Sequence, residues 1–238
     1  MISQSPVDEV DTEAMRTRIV DVRSRIEAAV FTSGRSAQAL TIVAVSKTFS
    51  RAAVDVAIAQ GLTTFGENRV QEARQKFAAP LPEGCSVRLI GQLQSNKARH
   101  AAQVFACVET VDRISLVDAL EREAARIDIM LPVLIQVNVA REAQKSGCAP
   151  EEAASVLDAI LASHHLRCDG LMTIAPLVAD AEDARPAFRG LRELRDRLES
   201  SAEVPLPTLS MGMSNDYAIA VAEGATHLRL GRAIFGSR

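Results

Sequence analysis

The chain has 238 residues, 47% hydrophobic and 24% charged, with a net charge of −3, a balance that suits one sizeable α/β core. Without an arginine-lysine block it gives no reason to expect nucleic acid, and no apolar run approaches the ~18 residues of a membrane span. Met1-Ile2-Ser3-Gln4-Ser5-Pro6 shows no signal peptide, and Cys85, Cys107, Cys148 and Cys168 are too widely spaced for a zinc site or disulfide framework, so reduced thiols in the cytoplasm are expected.

Residues 7–33 read as an N-terminal helix. Asp8, Glu9 and Asp11 open it, Ala14, Ile19, Val22, Ile26 and Val30 recur at near-helical spacing, and Ser33-Gly34 stops it. Residues 41–238 then alternate regularly. Strand one, 41–46, is a β-branched run closed by Ser46-Lys47, and Ser50 caps a helix over 51–60. Strand two at 63–65 is followed by a helix from Glu67 to Ala79, ended by Pro80 and Pro82. Strand three (87–90) precedes a helix over 95–103, strand four (105–109) one over 113–127, and strand five (132–138) one running from Pro150 to about Ser163. Strand six (166–171) precedes a helix over 180–200, strand seven (208–210) one over 215–223, and strand eight is 226–230.

Eight strands separated by single helices imply parallel pairing with right-handed crossovers, and the count fits a closed (β/α)₈ TIM barrel. A doubly wound sheet would usually carry a glycine-rich first turn, whereas Lys47-Thr48-Phe49-Ser50 has no glycine. One domain over 1–238 is expected, with the N-terminal helix covering the side where the last outer helix is short.

In such a barrel the carboxyl ends of the strands share one rim. Lys47 stands there after strand one, where a partly desolvated amine has a lowered pKa and can form a Schiff base with an aldehyde. The plain alternative is a strand-end lysine reaching into water. After strand seven, the small residues Ser210, Gly212 and Ser214 would let backbone N–H groups approach a ligand, and Ser214-Asn215-Asp216 reads as a helix start that suits an anion. Gly231-Arg232-Ala233 after strand eight adds further amides. An amine and a phosphate cradle in one rim point to a phosphorylated aldehyde, with pyridoxal 5′-phosphate (PLP) the evident candidate.

Other groups weigh less. His164-His165 reads as a surface pair, His100 as helix-end charge, and Cys148 as part of an exposed loop; Lys97 and Lys145 read as solvated groups near the rim. Glu109 and Asp112 lack a second carboxylate at a defined spacing.

Several stretches together resemble the YggS/PROSC family of pyridoxal phosphate homeostasis proteins, related in fold to the N-terminal barrel of alanine racemase (fold-type III). They are Val43-Ala44-Val45-Ser46-Lys47-Thr48, Phe65 to Glu72, Leu89 to Lys97, Gln136-Val137-Asn138, Lys145-Ser146-Gly147, Gly170-Leu171-Met172, Leu209 to Asp216 and Arg229 to Gly236. The resemblance implies that Lys47 carries PLP as a Schiff base and that Arg229 meets the pyridine nitrogen and keeps it unprotonated. It implies a phosphate held by the backbones of Gly231 and Arg232 with Ser210, Met211, Gly212, Met213 and Ser214. It further implies that Asn68 lies on the hydroxyl side of the ring and that Met172 packs against the cofactor. Arg88 departs from the histidine usual before the Ile-Gly motif, a change expected to alter the rim beside strand three and to leave the cofactor contacts alone.

The implied function is storage, buffering or delivery of PLP without turnover, with apo PLP-dependent enzymes as recipients, no membrane or nucleic-acid partner, and a monomeric state. The alternative is an amino-acid racemase, which needs a second acid/base opposite the lysine. The racemases take a tyrosine from an extra C-terminal β-domain, which is not expected here, and Tyr217, the only tyrosine, is expected to face the phosphate side. A class I aldolase barrel also uses a lysine Schiff base, but on a later strand and without need of Arg229.

Overall fold

The computed structural model describes residues 11–34, 40–176 and 178–237; residues 7–10 of the expected first helix lie outside them. Helix α1 (Thr12–Thr32) starts at Asp11, whose carboxylate accepts the Ala14 N–H and so satisfies one of the otherwise unpaired amides of the first turn. Then follow β1 (Thr41–Val45), α2 (Arg51–Ala59), β2 (Thr64–Glu67), α3 (Val70–Lys76), β3 (Ser86–Leu89), α4 (Ala98–Val104), β4 (Cys107–Val111) and α5 (Ile114–Ala125). The second half comprises β5 (Leu131–Gln136), α6 (Ala153–Leu161), β6 (Leu166–Met172), α7 (Arg185–Ala202), β7 (Thr208–Ser210), α8 (Tyr217–Ala222), β8 (His227–Leu230) and α9 (Arg232–Phe235). The strands pair in chain order, all parallel, and β8 closes on β1 with Val43 opposite Arg229. The barrel expected from the alternation is the barrel observed.

Because successive strand residues point to opposite faces, each strand feeds two environments. Ala44, Phe65, Val87, Leu89, Val108 and Leu171 pack outward in one core with α1 to α9. Val43, Val45 and Ile90 form a small cluster on the axis, and Cys107, Leu134 and Met172 form another. Gly66 belongs to the axial face as well, since a Cβ there would lie 2.9 Å from Ile90 Cδ1 and 3.0 Å from Val43 Cγ1. On this parity Lys47, two residues beyond Val45, points into the mouth of the barrel, and Ser46 points outward.

Among the boundaries that differ from the sequence reading, three strand ends have consequences for the site. Glu67 ends β2 instead of starting a helix: it is paired with Leu89, and its carbonyl accepts the Ile90 N–H at 2.9 Å. Strand four starts at Cys107, because Phe105 N–H still closes α4 onto Ala101 O at 3.0 Å and Ala106 is the first residue to bond β3. The shift places Glu109 in the middle of the strand. Strand five ends at Gln136, so Asn138 belongs to the following loop, where its Oδ1 accepts the Glu142 N–H.

Helix α1 covers the seam between the ends of the barrel wall. Arg18 Nε donates to Ile234 O at 2.8 Å, binding α1 to the short α9 as the chain pattern required.

At Gly170 the β6 backbone has φ +144°, and a Cβ there would stand 2.0 Å from Thr208 O, inside the backbone of the neighbouring strand. Gly170→Ala therefore forces β6 and β7 apart and strains the turn of the chain at once. We expect a loss of about 3 kcal/mol or more, read as a melting temperature lower by about 6 °C or more. A variant that melts with the wild type would contradict this packing.

Candidate functional site

A cleft of about 460 Å³ opens at the carboxyl ends of the strands, within the roughly 300–1,000 Å³ range common to small-ligand sites. Lys47, Asn68, Met213, Ser214, Arg229, Gly231 and Arg232 line it, bringing together seven of the residues singled out in the sequence. Its opposite wall is apolar, formed by Ile174, Pro176 and Val178 from the segment after β6. Lys47 is exposed, so the chain by itself does not supply the desolvation expected for that amine.

The remaining candidates lie off the cleft wall. Ser210 is buried immediately beneath, as a hydrogen-bond partner of Arg229. Met172 is fully buried on the axis with Cys107 and Leu134, and Met211 is buried in the outer core. Gly212, at φ +91°, is required by packing: a Cβ would lie 2.6 Å from Ala220 Cβ. Its carbonyl accepts the Arg229 N–H at 3.0 Å, which fixes β8 beside the loop.

That loop is braced from within. The buried Asp216 carboxylate accepts the Met213 N–H at 2.6 Å, and Ser214 Oγ accepts the Ala233 N–H at 3.3 Å, joining the loop after β7 to the start of α9. Burial pushes the Asp216 carboxyl up, with the Met213 N–H and Arg229 opposing. Helix α8 begins at Tyr217, two residues later than expected, and Tyr217 faces Arg25 on α1 and not the phosphate side of the rim.

Two buried networks hold the Lys47 end of β1 and the floor of the cleft. Behind β1, Lys76 Nζ donates to Ser46 O (2.7 Å), Glu67 Oε1 (2.7 Å) and Glu72 Oε1 (3.2 Å), and Ser46 Oγ donates to Glu67 Oε1 (2.7 Å). Glu72 also accepts the N–H of Thr48. Thr48 has φ +69°, an outlier for a β-branched residue worth about 1–3 kcal/mol, so the turn next to Lys47 is held against strain by this carboxylate. Burial raises the Glu67 carboxyl, with Lys76 and Ser46 opposing, and Glu67 Oε2 has no hydrogen-bond partner among the described residues.

Under the cleft, Arg229 donates from Nη1 to Ser210 Oγ (2.8 Å) and from Nη2 to Thr173 O (2.7 Å). Ser210 donates onward to Glu109 Oε2 (2.6 Å), and Arg88 Nε donates to Glu109 Oε1. Burial would raise the Glu109 carboxyl, but Arg88 and Arg229 outweigh it and hold the group below the ordinary glutamate range. His227 nearby is driven down to about 4 by burial and by Arg88, so it is neutral at physiological pH. Arg88 thus points into the barrel below the cleft, where the sequence reading had placed it at the rim.

Glu109, set aside in the sequence for want of a second carboxylate, proves central to this floor. Its signal was present: a lone charge in Cys107-Val108-Glu109-Thr110-Val111, two residues from Cys107 and so on the axial face. Lys145, read as solvated, is half-buried and donates to Ala175 O at 2.8 Å, tying the loop after β5 to the apolar wall of the cleft. Cys148, read as exposed, is buried, and burial pushes its thiol up to about 12, far from a thiolate nucleophile. His165, in contrast, sits on the surface against Glu121, as a surface pair should.

The arrangement suits an anionic carbonyl compound. It offers a primary amine, a fully buried guanidinium on the floor, and backbone with hydroxyls where two loops meet.

Comparison with known proteins covers nearly the whole chain. Residues 10–238 match the model of the alanine racemase N-terminal domain. The pyridoxal phosphate homeostasis protein of Aquifex aeolicus is 38% identical over 221 residues, covering 93% of this chain and 97% of that one. Its counterpart in Pseudomonas aeruginosa is 42% identical over 220 residues, covering 92% and 94%. Among solved structures, PipY of Synechococcus elongatus with PLP bound superposes with a TM-score of 0.82 at 34% identity, covering 93% of this chain and all of PipY.

The Lys76 network gives a direct test. Lys76→Met leaves Glu67 buried without its cation, at a cost of roughly 3–5 kcal/mol at pH 7.5. A carboxyl raised in the folded state binds more protons folded than unfolded, so stability falls as pH rises from the ordinary glutamate value through the folded one. Denaturant unfolding of the variant should therefore recover part of the loss on moving from pH 7.5 toward pH 5. Equal stability of variant and wild type at pH 7.5 would show that Lys76 does not neutralise Glu67.

Proposed function

The chain belongs to the alanine racemase N-terminal domain family and, within it, to the pyridoxal phosphate homeostasis proteins; from this premise we propose that it binds PLP in the cleft and stores, buffers or delivers it inside the cell. The observation that carries the reading is the convergence of Lys47, Arg229 and the loops after β7 and β8 on one cleft. The residues present fit the group. The cofactor supplies an aldehyde that condenses reversibly with a primary amine, releasing water, and among the described residues Lys47 is the one amine lining the cleft. A pyridine nitrogen accepts a hydrogen bond but repels a fixed donor when protonated, and Arg229 is a permanent donor. A phosphate takes backbone N–H groups and hydroxyls, which Ser214, Gly231 and Arg232 provide.

In this reading Lys47 is the attachment residue, Arg229 faces the ring nitrogen and Asn68 lies beside the ring. Ser210 acts on the cofactor through Arg229, and the packing of Met172, Met211 and Gly212 shapes the walls behind the site. Reversible capture without turnover is supported by the cleft lining, which among the described residues includes no tyrosine, histidine or cysteine to act as a second acid/base opposite Lys47, and whose carboxylate, Asp216, is engaged with the Met213 N–H. A racemase would need one. The recipients, in this reading, are apo forms of PLP-dependent enzymes, and the protein acts as a monomer.

Protein incubated with PLP should turn yellow, and borohydride reduction followed by peptide mass mapping should place the cofactor on Lys47 alone. Lys47→Ala should lose the visible band while keeping its melting temperature within about 2 °C of wild type, the change being at an exposed side chain. Label on any other lysine would defeat the assignment. Amino-acid racemisation by the loaded protein should stay far below the ~10 s⁻¹ typical of enzymes; turnover at that level would replace carriage with catalysis.

A further inference from the structure

The barrel axis below the cleft holds more charge than a binding floor requires. Arg229 is fixed in place by its bonds to Ser210 and Thr173, which use two of its five N–H donors, and Ser210 has one proton, which it gives to Glu109. Glu109 is fully buried, so an unbalanced carboxylate there would be costly, and Arg229 alone would suffice to balance it. Yet a second guanidinium, Arg88, reaches in from β3 to the other carboxylate oxygen. Two cations and one anion therefore share the axis beneath the cleft, with Glu109 and Arg229 buried and Arg88 half-buried, so that water screens them little.

The geometry points to Arg88 as a positioning residue that sets the charge felt by the cofactor: by neutralising Glu109 it leaves Arg229 with its full positive charge toward the cleft. Without Arg88, Glu109 and Arg229 form a neutral pair and the cleft floor loses its net positive potential. The inference rests on the reading of the cleft as the PLP site.

The other charged and titratable groups around this axis are few and do not duplicate Arg88. Asp169 on β6 is tied to Arg167, which balances it. Cys107 on β4 is held neutral by burial. His227 on β8 is neutral, and Asp216 from the loop after β7 is engaged with the Met213 N–H on the far side of Arg229. Asp169, Cys107 and Asp216 owe their states to other partners or to burial; His227 is held neutral first by burial and then by Arg88, so its lowering weakens with a substitution there while the burial remains.

The test is a pH titration of the visible band of the loaded protein, with borohydride mapping run alongside. Arg88→Met should still carry the cofactor on Lys47, but its titration midpoint should rise by about one unit, a tenfold gain in proton affinity from removal of one nearby cation. Arg88→Lys, which keeps the charge, should titrate with the wild type. Arg88→Met combined with Glu109→Gln removes one cation and one anion, keeps an acceptor for Ser210, and should return the midpoint to the wild-type value. Glu109→Gln alone should lower it. An Arg88→Met protein labelled on Lys47 but titrating at the wild-type midpoint would overturn the inference and leave the PLP reading standing. If Arg88→Met does not fold, a Glu109→Gln midpoint at or above wild type would overturn it equally. Failure of the wild type itself to label at Lys47 would instead bring down the reading of the site.

Discussion

Closure of the barrel is the constraint on which everything else in this molecule depends. Once β8 pairs with β1, alternate residues of every strand have nowhere to point except the axis, and each must be apolar, small or electrically compensated. Val43, Val45 and Ile90 meet the requirement as hydrocarbon, and Gly66 by having no side chain. Glu109 meets it only through Arg88, Ser210 and Arg229. A single buried carboxylate thus dictates the identities of residues on three other strands, and the last of them forms the floor of the cleft.

The outward face answers to a different demand. Ser46 and Glu67 point away from the axis toward α3, where Lys76 meets both. The inward and outward polar groups at the end of β1 are one residue apart, so the strand that presents Lys47 is gripped from behind while its amine stands in the cleft. The left-handed Thr48 is the visible cost of turning the chain there.

Much of this was legible in the amino-acid sequence because the alternation of short β-branched runs with amphipathic helices leaves little choice of architecture. Lys47 and the paired loops after β7 and β8 could be placed on a common rim by topology alone. Two kinds of information were not local enough to read. Register shifts of one or two residues, as at Phe65-Gly66-Glu67 and at Cys107, decide whether a polar residue faces the axis, a helix or the rim, and they depend on the neighbouring strand. Glu109 and Arg88 have no proximity in sequence, and only the β3–β4 pairing of Arg88 with Cys107 brings them together. Helix-start reasoning at Ser214 likewise went astray by two residues, because Asp216 folds back onto Met213 before α8 begins.

The seam where the first strand meets the eighth carries Lys47 on one side and Arg229 and Gly231 on the other. These residues are far apart along the chain and share a wall because β8 pairs with β1. The cleft is therefore complete only once the barrel has closed, and in the proposed reading a locally opened barrel releases what it holds. Occupancy and closure are then linked equilibria, each drawing the other forward, and the contact order that makes such a barrel slow to fold also ensures that only finished molecules compete for the ligand.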